Sequence, residues 1–575
     1  MRTPRDQLDV TALLSTGGHP ARGHAVAANG SSRVRVADID VRYSDNDVRS
    51  PDDEVPHPAD GDEPQSNARR SMVSQLVDLA TSRCELWHTP DGEAHVSVML
   101  DDHREHHRVG SKGFRQFLAR TAYRDLGCAA GETMIRDACA AIAGIANYDA
   151  PEHAAHVRVA GEGGTVWLDL CDATWRAVAV DEHAWRVVER PPVRFTRRGA
   201  MEPLPVPVGG GSLDELREHV RVADESWPLV AGWLVGALMP RGPYPALLFR
   251  GQHGAGKSWS ARILRSLVDP SKAPIRSEPR EPRDLIVAAR GSWVVALDNI
   301  SSIPRWLSDG LCRLATGGGY SARALYTDDD EIVVDVQRPT ILTGITDVVT
   351  APDLLDRSLL VELEPISEEE RRAERDLTAA WAGARPRVFG AVLDCVSCSL
   401  RERDSTHLPR LPRLADWATV ATAAETAMGL PRGAVLEALD ATREDATEIA
   451  LEASAIASPL RALVRRDREW TGTAGGLLHA LALLAEPHVT HGATWPKSER
   501  GLVASLTRLA PSLAATGILV KRLPRGTAGH RGQRPWRVTS SPSPSPSPEK
   551  RNGFGRDDDG DVGDGWNHLF PREPS

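Results

Sequence analysis

Residues 244–250 read Tyr-Pro-Ala-Leu-Leu-Phe-Arg and lead into Gly251-Gln252-His253-Gly254-Ala255-Gly256-Lys257-Ser258, after which residues 259–267 read Trp-Ser-Ala-Arg-Ile-Leu-Arg-Ser-Leu. The apolar run Tyr244 to Phe249 predicts a strand and the amphipathic run Trp259 to Leu267 a helix, so strand, glycine loop and helix follow in the order a phosphate-binding loop requires. Glycines at 251, 254 and 256 let backbone N–H groups close on phosphate oxygens at the positive end of the helix. Lys257 would bring charge to the β and γ phosphates, and the Ser258 hydroxyl would reach Mg²⁺. All eight residues, 251 to 258, are therefore candidate ATP-binding positions.

Such a loop needs an apolar strand ending in an acid. Trp293-Val-Val-Ala-Leu-Asp298 supplies one, with Asp298 expected to hold the metal together with Ser258. Asn299 follows, where many ATPases carry a second acid that polarises the attacking water. Either another carboxylate acts as base, or hydrolysis is slow and nucleotide serves as a conformational ligand.

Outward from this centre, 575 residues suffice for several cores. The expected organisation is a disordered leader over 1–70, an α+β accessory module over 71–205, the loop-bearing domain over 206–375, a helical segment over 376–455, a further domain over 456–540, and a disordered Ser-Pro and acidic tail over 541–575. Pro203 to Gly211 is the clearest linker. Seven scattered cysteines and no signal peptide point to a reducing cytoplasm. Cys395 and Cys398 form a lone CxxC with no second pair nearby, which reads as packing rather than zinc. His103, His106 and His107 stand among charged neighbours and read as a solvated turn. The apolar stretch near Trp227 to Met239 is too short to span a bilayer, so no membrane role is expected. The net charge of −10 excludes a protein basic throughout, yet leaves room for a local basic face.

A third group of motifs follows the acidic strand. Leu311-Cys-Arg-Leu-Ala-Thr-Gly-Gly-Gly-Tyr-Ser-Ala-Arg323-Ala-Leu-Tyr326 precedes a strand Pro339-Thr-Ile-Leu-Thr343-Gly-Ile, and then Pro352-Asp-Leu-Leu-Asp-Arg357-Ser-Leu-Leu-Val-Glu-Leu. In this order, over about residues 245–375, the chain resembles the superfamily 3 helicase-like P-loop ATPases of phages and plasmids, including those of primase-helicase proteins. The resemblance implies an AAA+-like core, a homo-oligomeric ring moving on single-stranded or forked DNA, and a primase or polymerase as a further partner. It implies Thr343 as a sensor of the γ phosphate, where the family usually has Asn, Arg357 as an arginine finger for a neighbouring subunit, and Arg323 on a hairpin facing a central channel. Arg357 has a second reading, as a helix-end partner of Asp353 or Asp356, and Thr343 a second reading as an ordinary strand residue.

After residue 456 the pattern reads helix (Gly476 to Leu484), helix (Lys497 to Leu509, continued over Ser512 to Thr516), strand (Ile518 to Lys521), Gly-rich turn and strand (Pro535 to Val538), similar to a winged helix. Lys497, Arg500, Arg508, Lys521, Arg522, Arg525, Arg531, Arg534 and Arg537 stand here against Glu499 alone. Such a stripe suits phosphate contacts to DNA, although a solvated basic face without ligand has the same composition.

The fold class expected is thus α/β, a P-loop AAA+-like core with an N-terminal α+β module and a C-terminal winged-helix domain. The expected activity is ATP hydrolysis to ADP and phosphate by a cytoplasmic DNA helicase-like protein replicating a mobile element or phage. Its rival is a nucleotide-dependent DNA-binding switch or scaffold, an initiator or defence sensor, for which Asn299 is the main support. A primase activity is not expected: Asp38 and Asp40 form a carboxylate pair, but they lie in the leader.

Overall fold

The computed structural model describes residues 71–100, 102–323, 331–334, 336–344, 351–492, 494–525 and 534–540, with no side-chain description for 320–335. The leader, the tail and Arg531 fall outside these residues. Within them the chain is a mixed α/β protein with several sheets.

At the centre lies a four-stranded parallel sheet in the order Val295–Ile300, Thr340–Gly344, Ala246–Arg250, Ser358–Glu362. These segments are near-continuous apolar runs because both faces are covered. Leu247, Phe249, Ala296, Ile341, Leu359 and Val361 pack on one side with the helix Lys257–Val268, and Ala246, Leu248, Val295, Leu297, Leu342 and Leu360 on the other with the helices Pro282–Gly291 and Arg305–Thr316. Arg276 adds an isolated parallel bridge to Leu297 at the outer edge. The strands Ala246–Arg250 and Val295–Ile300 each begin two residues later than the apolar runs predict, since Tyr244 and Trp293 are used in packing: the Trp293 indole donates to the Ala237 carbonyl, and Tyr244 donates to the Met239 carbonyl. Between Tyr320–Arg323 and Glu331–Val334 the backbone pairs antiparallel, Arg323 opposite Glu331.

Residues 71–205 contain two larger antiparallel sheets and a short parallel pair, Ala155–His156 with Arg194–Phe195. The first, Cys84–His88, Ala94–Met99 and Arg104–Arg108, is antiparallel and packs on the helices Met72–Arg83, Lys112–Asp125 and Glu132–Asp149. Arg104–Arg108 corrects the expectation of a solvated turn at His103 to His107. Alternation along the strand buries the His106 side chain, and the flanking charges find partners, with Glu105 bonded to both His103 and His107. The second sheet runs Val159–Glu162, Thr165–Asp169, Ala177–Val180, Trp185–Val188. Its period-two alternation sends Val159, Val166, Leu168, Val178 and Val180 into the large core shared with the helix Trp227–Ala237, and Ala160, Trp167, Ala177 and Ala179 onto Val193 and Phe195.

Trp227–Ala237 is buried along its whole length. Gly232 and Gly236 allow this: a Cβ on Gly236 would stand 2.5 Å from the Trp417 ring. Cys395 and Cys398 are buried in the helix Glu374–Glu402, where the Cys398 thiol points to the Ala423 carbonyl. None of the described helices is long and apolar enough to cross a membrane.

The C-terminal part has its own core. Its order is helix Ala457–Asp467, strand Glu469–Gly472, helices Ala474–Leu484, Pro487–His491 and Glu499–Ala515, then strands Ile518–Arg522 and Trp536–Ser540. The last strand lies between the other two, antiparallel to both. Glu499–Ala515 is one helix despite Pro511, and the Ser498 hydroxyl caps it by accepting from Gly501 N–H. The first helix and first strand of this unit were not anticipated from sequence.

Candidate functional site

The glycine loop leaves the sheet at Arg250, between a neighbouring strand on each side, which is the crevice where parallel α/β sheets bind ligands. Three of its glycines hold positive φ, Gly251 at 138°, Gly254 at 82° and Gly256 at 79°. The value at Gly256 is one that L side chains rarely adopt, and Gly256 is the N-cap of the helix Lys257–Val268, so the chain can turn into the helix with its first N–H groups facing the loop. Ala255 is buried and anchors the loop, whereas Gln252, His253 and Gly254 are exposed at its rim.

Lys257 lays its Nζ across the loop, donating to the carbonyls of Gly251 at 2.7 Å and Gln252 at 2.8 Å. Burial holds its pKa below the usual lysine value, against the opposite pull of Glu362 and Asp298. Ser258 Oγ donates to Asp298 Oδ1 at 2.7 Å. Thr343 Oγ1 donates to the same oxygen at 2.5 Å and accepts from the Asn299 N–H at 3.0 Å. Thus the loop, the acidic strand and the strand between them meet at one carboxylate oxygen. Asn299 has a φ of 53°, a left-handed conformation that Asn tolerates better than most residues, and its side chain is exposed. The oxygens of Ser258 and Asp298 form a hard-donor pair of the kind Mg²⁺ takes when phosphates and waters complete its shell.

Two residues near the loop were not singled out from sequence. Arg371 places Nη2 4.0 Å from where a Cβ on Gly254 would stand. Glu362 ends the neighbouring strand opposite Arg250 and acts electrostatically on Lys257. Neither belongs to a local motif; the sheet register and the return of the chain after Leu363 bring them in.

Arg357 is not at this site. It precedes the strand Ser358–Glu362, whose first residue is level with Ala246, so it stands at the opposite end of the parallel sheet from Lys257. Its Nη1 donates to the Asp353 carbonyl at 2.7 Å, and Asp356 is instead bonded by Arg413 at 2.8 Å. For Arg323 the position on the paired backbone Tyr320–Arg323 is described, but not the side chain.

The C-terminal basic residues divide. Arg500 from the long helix, Arg522 and Arg525 from the strand end and turn, and Arg534 before the last strand line one groove of about 650 Å³, with Glu499 as its acid. Arg522 sits over the Trp536 ring, 5.9 Å from its centroid. Lys497, Arg508 and Lys521 lie outside the groove lining: Lys497 donates to the Thr490 carbonyl, Arg508 to Ala504 of its own helix, and Lys521 pairs in register with Arg537. Arg537 itself is 3.1 Å from Glu469.

A glycine loop at a parallel-sheet crevice, joined to a separate unit with an arginine groove, fits a replication protein of a mobile element. Residues 213–448 match the family of actinomycete integrative conjugative element replication proteins, and residues 456–550 match the C-terminal domain of that replication protein, RepA. Together the two matches span more than half of the chain, which belongs to this family. No curated protein matches it. Among solved structures, two of the apo C-terminal region of NrS-1 are distantly similar. One is 11% identical over 82% of this chain and 99% of that chain, with a TM-score of 0.36; the other is 13% identical over 56% and 68%, with a TM-score of 0.31.

Proposed function

We propose that the chain is an ATP-binding and ATP-hydrolysing DNA helicase-like protein that acts in replication of its conjugative element. The reading rests above all on the shared contact at Asp298, where Ser258 and Thr343 meet on one oxygen. In this reading Gly251 to Ser258 cradle the phosphates, Lys257 leaves the loop carbonyls for the β and γ oxygens, and Ser258 and Asp298 hold Mg²⁺. Mg²⁺ would draw charge from the phosphoryl group as the bond to the β phosphate loosens. Thr343, one hydrogen bond from both Asp298 and the Asn299 backbone, would couple the state of the phosphate to the acidic strand. Arg371 adds a cation on the outer side of the loop.

The C-terminal unit has the order helix, strand, three helices, strand, strand, with its last strand central, which supports a winged-helix reading. Its groove would take backbone phosphates of DNA through Arg500, Arg522, Arg525 and Arg534. The position of Arg357 at the far end of the sheet supports a finger that serves a second subunit's nucleotide, in a homo-oligomeric ring. The test is the ATPase rate with and without single-stranded DNA, paired with native mass. DNA-stimulated turnover by an oligomer is the expected result. Tight ATP binding with no turnover in any DNA condition would instead favour the nucleotide-dependent switch, for which the exposed Asn299 in place of an acid speaks.

A further inference from the structure

The N-terminal module encloses a second cavity, of about 400 Å³, between the strand Arg104–Arg108, the start of the helix Lys112–Asp125 and the segment 196–198. Its ionisable lining is basic throughout: His95, His106, His107, Arg108, Arg197 and Arg198. The nearby acids are already matched. Glu105 bonds His107, Asp169 bonds Arg197, and Glu93 lies 3.4 Å from Arg290 and 3.8 Å from Arg108.

Two buried histidines face this space with donor capacity left over. His95 is 2% exposed and stacks on Trp87 with ring centroids 4.5 Å apart, yet neither ring nitrogen has a hydrogen-bond partner; Glu93 stands 3.8 Å from Nε2, beyond bonding range. A buried polar group left in that state is costly unless something completes it. His106 is reached through a relay. The Trp87 indole N–H donates to Ser97 Oγ at 2.9 Å, and Ser97 Oγ is 2.9 Å from His106 Nδ1. The arrangement that satisfies every atom has the serine hydroxyl donating to Nδ1, which leaves the proton on Nε2 of a neutral ring. Burial and the surrounding arginines keep that ring neutral, with a pKa of about 3. Ser111 caps the helix by accepting from Phe114 N–H, and the absence of a side chain at Gly113 lets the His107 ring lie against the first turn, where a Cβ would come within 2.8 Å. Two histidine donors and arginines thus converge on one hollow, with the N-cap Ser111 in its lining.

We infer that this cavity binds a phosphate monoester, the terminal phosphate of a nucleic-acid strand or that of a mononucleotide, with His95 and His106 as buried donors and Arg198 at the mouth. Arg197 is a wall rather than a ligand, since it is held by Asp169 and stacked on Trp175 at 3.9 Å. Arg198 is exposed, with no hydrogen bond from its guanidinium to the described residues.

Calorimetric titration of the full chain with dTMP, 5′-phosphorylated dT10 and 5′-hydroxyl dT10 tests this. The two oligonucleotides present the same internal phosphodiesters to any other DNA-binding surface, so their difference reports the terminal phosphate alone. The wild type should prefer the phosphorylated strand or bind dTMP, and Arg198→Ala should cut that binding by roughly tenfold, the scale of one charge-assisted contact. His95→Phe keeps the ring stacked on Trp87 and removes the donors, and should have the same effect with unchanged circular dichroism. Loss confined to the phosphorylated strand identifies a strand end as the source; loss for dTMP identifies a mononucleotide. Equal binding of the two strands, with dTMP binding absent or unaltered by both variants, would overturn the inference.

Discussion

Arg158 donates its Nε–H to Asp269 Oδ1 at 3.0 Å, with the two side chains 0% and 2% exposed, and so ties the second N-terminal sheet to the end of the helix that follows the glycine loop. The pair is fully committed. Arg158 also donates to the carbonyls of Asp169 and Glu202, and Asp269 Oδ2 accepts the backbone N–H groups of Trp293 and Val294 at the start of the acidic strand. Arg158→Met should therefore leave a buried carboxylate without its main partner and cost about 3 to 5 kcal/mol. Urea denaturation checks this. A midpoint unchanged from wild type would show that the contact does not hold the two parts together.

Lys257→Ala should abolish nucleotide binding or turnover and leave thermal stability nearly unchanged. The side chain's bonds are to the Gly251 and Gln252 carbonyls on a part-exposed loop, so its removal strands no core group. ATP titration and a melting curve on the same sample give the two readouts. Wild-type ATPase activity in this variant would remove the central proposal.

Asn299→Asp distinguishes slow hydrolysis from an alternative base. Asp tolerates the left-handed backbone at this position about as Asn does, and the side chain is exposed, so the fold should be indifferent. If the missing acid limits turnover, the rate should rise by about 10²-fold or more, the usual contribution of a positioned general base. An unchanged or reduced rate would mean that another group already activates the water.

The arginine groove and the outer face of the same sheet should behave differently with DNA. Arg522→Ala and Arg525→Ala should each weaken binding and lower the salt slope by about 1, as one phosphate contact is lost. Lys521→Ala removes the same charge outside the groove, opposite Arg537, and should change the slope less. Equal slopes for all three variants would point to a diffuse basic face.

Which parts could be read from the sequence follows from how each part is buried. The central strands are covered on both faces, so Leu247 to Phe249 and Val294 to Leu297 appear as plain apolar runs next to motifs of fixed spacing. The strand Arg104–Arg108 carries five charged or imidazole side chains and declares itself only through pairing with Ala94–Met99. Glu469–Gly472 is too short to show a period, and its place in the sheet depends on the last strand, more than sixty residues later. Loop residues 251–258 form one local unit, whereas Arg371, Glu362 and the four arginines of the groove come together only through tertiary register. Local runs and spacings were legible; convergence of distant side chains was not.

Arg357 decides between ring motor and single-subunit switch. In its own chain it stands at the end of the parallel sheet away from Lys257, and its Nη1 is held by the Asp353 carbonyl, so it cannot reach the phosphates its own loop would bind. If it acts on nucleotide at all, it acts on a neighbour's. There the charge it meets develops as the phosphoryl group leaves, so Arg357→Ala should cut turnover by about 10³-fold while ATP affinity changes little. Mixing gives the sharper measurement. Arg357→Ala subunits keep the loop and lack the finger; Lys257→Ala subunits lack the loop lysine and keep the finger. In a mixed ring some interfaces join a sound loop to a sound finger, and ATPase activity should partly return, further raised by single-stranded DNA. Recovery absent from mixtures whose subunits are each folded and oligomeric would sink the trans finger, and Arg357 would then be read as the helix-end side chain that its bond to Asp353 describes.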